Sequence, residues 1–231
     1  MPQRPRGLAL LAVALVATLA GCSGSSDESP ADLLARAKTT LDDASSVHFT
    51  LDTSEPPDAA TGLVGGEGDL LRPSSFQGAL KVLVAGAPVE VKVVSVDGTV
   101  YAQLTFTSTF SVVDPADFGV GDPAALLDPG TGLSQFLEAV EDPKLGRERR
   151  VDGQVVREVT GRIPGDVVGR LLTSKDPEQP VDATFAITAE GAQLRRAELT
   201  GPFFTAADDA TYVVELSDFG ADVHISAPPT D

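Results

Sequence analysis

From Ser46 onward, apolar side chains recur at every second position. Val47, Phe49 and Leu51 alternate with His48, Thr50 and Asp52, the signature of a strand with one face buried and one wet. The same period returns near Leu63 to Leu71, in Phe76 to Val84 and Val89 to Val96 around Gly86-Ala87-Pro88, and in Val100 to Phe106. Asp97-Gly98 between two such runs is a two-residue hairpin turn. After a middle stretch the pattern resumes in Glu148 to Val151 and Val155 to Gly161 about Asp152-Gly153. Further strands are predicted over Val181 to Thr188, Gln193 to Thr200, Thr211 to Phe219 and Asp222 to Ile225. Consecutive strands joined by tight turns pair antiparallel, and a long meander of this kind curls.

Helical spacing occupies the gaps. Leu33, Leu34, Ala37, Leu41 and Ala44 share one face of a helix opened by Pro30 or Asp32. The central loop Asp117 to Pro123 leads into a short helix Ala124 to Leu127. Leu133, Phe136, Leu137 and Val140 then fall at i, i+3, i+4 and i+7. A third stripe, Val167, Val168, Leu171 and Leu172, follows Pro164. Strand runs broken by helical pairs, without βαβ alternation, predict an α+β fold. Helices can cover the concave face of the curled sheet.

The first 21 residues stand apart from this fold. Arg4 and Arg6 precede an apolar run from Leu8 to Leu19 that is too short to span a bilayer. The run ends Leu19-Ala20-Gly21-Cys22, with the chain's one cysteine placed after two small residues. This pattern resembles a bacterial lipoprotein signal. It implies cleavage before Cys22, diacylglycerol on the Cys22 sulfur and often a further acyl chain, such as palmitate, on the new amino group. Two or three chains anchor stably where one does not. The expected organisation is a signal peptide over 1–21 and a lipidated Cys22 with a flexible tether over 22–30. A single lipid-binding domain over 31–227 and a frayed tail over 228–231 complete it. The tether's eight residues after Cys22 reach on the order of 25 Å when extended.

Charge narrows the partners. Taking Arg4 and Arg6 from 17 basic residues leaves 15 against 34 acidic ones, a formal charge of −19 from Cys22 onward. Such a surface disfavours nucleic acid and anionic headgroups. With Cys22 lipidated no thiol remains for a disulfide or a cysteine-based metal site. His48 and His224 sit on the polar phase of alternating strands and give neither a catalytic base nor a zinc set. No G-x-S-x-G elbow and no phosphate loop is present. Asp114, Asp117, Asp122 and Asp128 lack EF-hand spacing, and turn-making and helix capping explain them. The expectation is therefore no catalytic residues, no metal, no cofactor and no enzyme.

A resemblance supplies what periodicity does not. Ser46-Val47-His48-Phe49-Thr50-Leu51, Asp97-Gly98-Thr99-Val100-Tyr101-Ala102, Asp122-Pro123 with Leu127-Asp128-Pro129 and Thr131-Gly132-Leu133, and Leu216-Ser217-Asp218-Phe219-Gly220 occur in order along the chain. Together they resemble the actinobacterial LppX/LprA/LprF/LprG lipoproteins, most closely the LprG branch. The resemblance implies a strongly curved antiparallel sheet, a partial barrel with helices on its concave face, similar to the LolA/LolB carriers, with an apolar cavity for acyl chains between sheet and helices. It also implies transport or presentation of triacylated glycolipids or triacylglycerol across the cell envelope. The protein would act from the extracytoplasmic face of the cell membrane, alongside a major-facilitator efflux transporter. Carried onto this chain, Leu80 falls in a cavity-lining strand, and alternation adds Val82 and Val84. Val91 and Val93, and Phe136, Leu137, Val140, Val168 and Leu171 on the helical stripes, are the further lipid-binding candidates. Gly201-Pro202-Phe203-Phe204 departs from the family pattern. The competing reading is a non-carrier envelope lipoprotein with a filled core, an adaptor for a membrane transporter.

Overall fold

Between Ser46 and Ser217 the alternating segments form strands, and all of these join one sheet. The computed structural model describes residues 28–54, 56, 60–84, 86–118, 121–151 and 153–230. The first half contributes β1 (Ser46–Ser54), β2 (Gly62–Leu71), β3 (Ser75–Val84), β4 (Ala87–Val96), β5 (Thr99–Leu104) and β6 (Ser111–Val113). The second half contributes β7 (Glu141–Val151), β8 (Gln154–Ile163), β9 (Val181–Thr188), β10 (Leu194–Gly201) and β11 (Ala210–Ser217). Every pairing is antiparallel, in the order β6-β5-β4-β3-β2-β1-β11-β10-β9-β8-β7. The two meanders thus meet at the centre, where β1 pairs with β11 from His48↔Ser217 to Ser54↔Thr211. The sheet is not closed. One edge, β6, is three residues long. The other, β7, carries Lys144, Arg147, Arg149 and Arg150, charges that discourage further strand pairing.

Strand direction gives the molecule two unlike ends. Tight turns at Asp97-Gly98 and residues 72–74 and 189–193 cluster at one end, the turn end. Residues 105–110, 164–180 and 202–209, the tip of β3 and β4, and the adjoining ends of β1 and β2 at Ser54 and Gly62 lie at the other, the open end. Helices α1 (Pro30–Asp43), α2 (Ser134–Glu138) and α3 (Gly165–Val168) lie against the concave face, with a 3-10 turn, Pro123–Leu127, over β2, β3 and β4. Val47, Phe49 and Leu51 of β1 join Leu33, Leu34, Ala37 and Leu41 of α1 in one apolar core.

Local chemistry sets the boundaries of α1. The Ser29 hydroxyl accepts from Asp32 N at 3.1 Å, Pro30 opens the first turn, and Asp32 complements the dipole there. At the other end Arg72, in the β2–β3 turn, donates to the carbonyls of Ala44 (2.8 Å) and Leu41 (3.3 Å). The guanidinium thereby caps the helix terminus, sharing Leu41 O with Ala44 N, which donates to it at 3.3 Å.

Four expectations need correction. β5 stops at Leu104, and Phe106 lies beyond it, in the turn that Thr107 N makes to Leu104 O at 2.9 Å. β7 starts at Glu141, well before Glu148, because an edge strand solvated on both faces needs no apolar alternation. The helical stripe over 133–140 is helical only across Ser134–Glu138. Asp222 to Ile225 forms no strand, although Ile225 is buried and Thr230 bridges to Phe110.

Candidate lipid-binding face

Curvature begins with glycines. Register places Gly66, Gly68 and Gly78 on the concave side of β2 and β3, in line with Phe49, Leu51 and Leu80. A Cβ on Gly78 would overlap Glu67 O and stand 2.7 Å from Gly68 Cα and 2.7 Å from the Phe76 ring. One on Gly68 would stand 2.6 Å from Gln77 O and 2.6 Å from the same ring. Without these carbons the strands approach closely on the inner side and the Phe76 ring lies over bare backbone. Phe49 stacks beyond it, ring centroids 5.7 Å apart.

The concave face is filled at the turn end and looser at the open end. Val47, Phe49, Leu70, Phe76 and Val100 are buried. Toward the open end Leu63, Leu80 and Val91 are half-buried, as is Leu126 of the 3-10 turn that packs on β2, β3 and β4. Large apolar groups partly exposed inside a concave face are surface that an apolar ligand would dehydrate.

The sequence candidates divide along this gradient. Leu80, Val82 and Val91 are half-buried on the inner face of β3 and β4, and Val93 is buried one step deeper. Val84 stands at the end of β3, 56% exposed. Phe136 and Leu137 on α2 and Val168 on α3 are buried within the core cluster. Val140 and Leu171 pack half-buried against it. Cys22 lies outside the described residues. Leu63, Leu126 and Phe204 are not among the sequence candidates. The one signal for Leu63 is its place in a strand otherwise rich in glycine and acidic residues.

An aromatic group closes the β9–β1 side of the open end. Tyr212 spans β1 and donates to Leu63 O at 2.5 Å, beside the register shift between Leu63 and Gly65. Its ring meets Phe203 edge-on at 4.7 Å and Phe204 at 5.8 Å. Burial pushes the Tyr212 phenol well above its ordinary range, so it stays a neutral donor. The segment Gly201-Pro202-Phe203-Phe204 is therefore interior packing.

The convex face is polar. Thr50, Asp52, Arg196, Val213 and Glu215 line a shallow groove of about 170 Å³. Arg196 donates there to Glu198 at 2.8 Å and to Glu215. His48 Nδ1 lies 2.7 Å from Asp69 Oδ1 on the same face. Asp114 and Asp122 accept from Ala116 N and Ala124 N at 2.9 Å, as turn and helix caps do. Among the described residues no three His, Cys, Asp or Glu side chains converge as a metal set.

Comparison with known proteins agrees with this geometry. The family model for LppX_LprAFG lipoproteins matches residues 29–225. The chain belongs to this lipoprotein family. The lipoarabinomannan carrier protein LprG of Mycobacterium tuberculosis H37Rv is 29% identical over 229 residues, covering 95% of this chain and 94% of that protein. The LprG of Mycolicibacterium hassiacum is 32% identical over 223 residues, covering 92% and 93%. Among solved structures, LprF of Mycobacterium bovis superposes with a TM-score of 0.71 at 21% identity, covering 86% of this chain and 96% of that one. LppX of Mycobacterium tuberculosis gives 0.65 at 17%, covering 87% and 100%. The likeness covers more than four fifths of the chain, so the LppX_LprAFG fold is the fold of this chain.

Proposed function

We propose that this chain is a membrane-anchored, non-enzymatic lipoprotein that holds acyl chains of triacylated glycolipids or triacylglycerol on its concave face. It carries them across the envelope from the extracytoplasmic side of the cell membrane. The observation behind this reading is the half-buried apolar inner face at the open end, formed by Leu63, Leu80 and Val91. Each methylene removed from water there contributes ~0.8 kcal/mol, so affinity needs no polar partner. The sugar or glycerol head stays outside. LprG relatives bear the name lipoarabinomannan carrier, which favours a glycolipid over triacylglycerol. A major-facilitator transporter is the partner consistent with that branch.

The test is mass spectrometry of lipids released from the purified, processed protein. Acylated lipid at a defined ratio to protein is expected. Lipid-free protein from a lipid-rich host membrane leaves the filled-core adaptor reading standing, which the tight packing of Phe49 and Phe76 otherwise favours.

Anchoring is tested separately. With Cys22→Ala, two or three acyl chains are lost, and the protein is expected in the soluble fraction after cell fractionation. Retention of that variant in membranes would sink the anchor.

A further inference from the structure

Residues Val82 to Val89 read Val-Leu-Val-Ala-Gly-Ala-Pro-Val, eight in a row with no charged or hydrogen-bonding side chain, in a chain whose formal charge is −17. The structure puts Val82–Val84 and Ala87–Val89 at the end of the β3–β4 hairpin, at the open end of the sheet. Val84 is 56% exposed, and Ala87 and Pro88 are exposed beside it. Phe106 lies next to this tip. Thr105 Oγ1 donates to Glu90 O at 2.7 Å and holds the segment after β5 against β4. The turn from Leu104 to Thr107 then projects Phe106 into water at 80% exposure. An aromatic ring and a valine this exposed, on two neighbouring strand ends, are an apolar patch and not scattered surface residues.

The patch continues inward. Val84, Val82, Leu80 and Phe76 occupy one face of β3, with Gly78 between the last two. Their exposure falls from 56% at Val84, through half-burial at Val82 and Leu80, to 0% at Phe76. A hydrocarbon chain entering at Val84 therefore reaches the concave face without passing a charged group on that strand face. Lys81 and Glu90 stand opposite each other on the other side.

We propose that the β3–β4 tip and Phe106 form a membrane-docking edge. With it, the open end of the sheet dips into the outer layer of a lipid bilayer and exchanges acyl chains. The proposal rests on the lipid-binding reading of the concave face. The occupant is a bilayer because a lipidated Cys22, eight residues from Pro30, would hold the domain within about 25 Å of one. The eight residues of the hairpin tip also offer neither the charges nor the hydrogen-bonding side chains of a specific polar interface. Phenylalanine and valine in the headgroup–acyl boundary gain the free energy they forgo in water.

The chain contains no tryptophan, so Phe106→Trp gives a single reporter. The lipidated variant is reconstituted into phosphatidylcholine vesicles whose acyl chains carry bromine at graded depths. The indole of Phe106→Trp is expected to emit at shorter wavelength than a water-exposed one. Quenching should be strongest with bromines about 5–10 Å below the headgroup boundary. Val155→Trp, near the turn end, is expected to stay unquenched. Should Phe106→Trp fail the circular dichroism check for folding, Val84→Trp carries the same measurement. Water-like, unquenched emission from a folded variant overturns the proposal. So does a blue shift that persists in vesicle-free protein of dimer mass, which assigns the patch to a second copy of this chain. Lipid counted in the purified variant before reconstitution separates the two readings. Bound lipid with an unquenched Phe106→Trp reporter overturns the docking edge alone. Quenching without bound lipid supports the edge and removes the cargo.

Discussion

Replacing Gly78 with valine is expected to unfold the domain. The new Cβ would overlap Glu67 O and lie 2.7 Å from Gly68 Cα, and both are backbone of the neighbouring strand. Neither can rotate away. Relief requires β2 and β3 to separate where Gly68 and Gly78 face each other. The Phe76 ring, wholly buried and 2.7 Å from the same position, would have to leave its site as well. Overpacking that a side chain can absorb costs ~1–3 kcal/mol. A clash with paired backbone plus loss of a buried aromatic exceeds about 4 kcal/mol, a large part of a domain's ~5–15 kcal/mol. Urea denaturation followed by circular dichroism should show little or no folded baseline. Gly121→Val is the matched control. Nothing lies within 4 Å of a Cβ there, so a change within about 0.5 kcal/mol is expected. A cooperative, near-native transition for Gly78→Val would mean that the glycines do not set the curvature.

That glycine row marks where sequence reading stopped short. The alternation in Val47-Phe49-Leu51 located β1 and its buried face, because a half-buried strand must alternate. Asp97-Gly98 located the β4–β5 turn, because Asp97 and Gly98 adopt the positive φ that a two-residue hairpin requires. β2 was legible as a strand, but its inner face was not, since Gly66 and Gly68 carry no hydrophobic signal. Their meaning lies in contacts across β3, which no local pattern records. β7 failed for the opposite reason. With both faces in water, its charges follow no period. The helical stripes identified apolar faces correctly, yet Phe136, Leu137 and Val168 are fully buried while Leu80 and Val91 are not. Periodicity reports that a side chain faces inward. How deep it sits depends on the curvature and on which loop lies above it. The edge at Val84 and Phe106 was hidden for the same reason, because an apolar residue at a strand end reads like one inside it.

Leu80→Trp is expected to leave the domain folded and to empty it of lipid. Leu80 is half-buried on the inner face of β3, with Gly66 and Val91 as its register partners. Its Cδ2 sits 2.8 Å from where a Gly66 Cβ would be, so the side chain already lies flat over bare backbone. An indole cannot grow outward through the sheet. It must extend into the concave space inside β3, the space assigned to acyl chains. If that space is open, the ring enters without moving the buried layer formed by Phe49 and Phe76, and the urea midpoint changes little. The ring displaces roughly two or three methylenes of ligand. At ~0.8 kcal/mol each this weakens binding by about 2 kcal/mol, or about thirtyfold. Lipid per mole of purified protein, counted by mass spectrometry, should fall accordingly. If the space is instead filled by the protein's own side chains, the indole has nowhere to go, and the variant loses stability. The two outcomes separate a carrier from a filled-core adaptor in one substitution, since a carrier gives a folded protein without lipid and an adaptor gives an unstable one. A folded variant that retains its full complement of lipid would place the acyl chains away from β3.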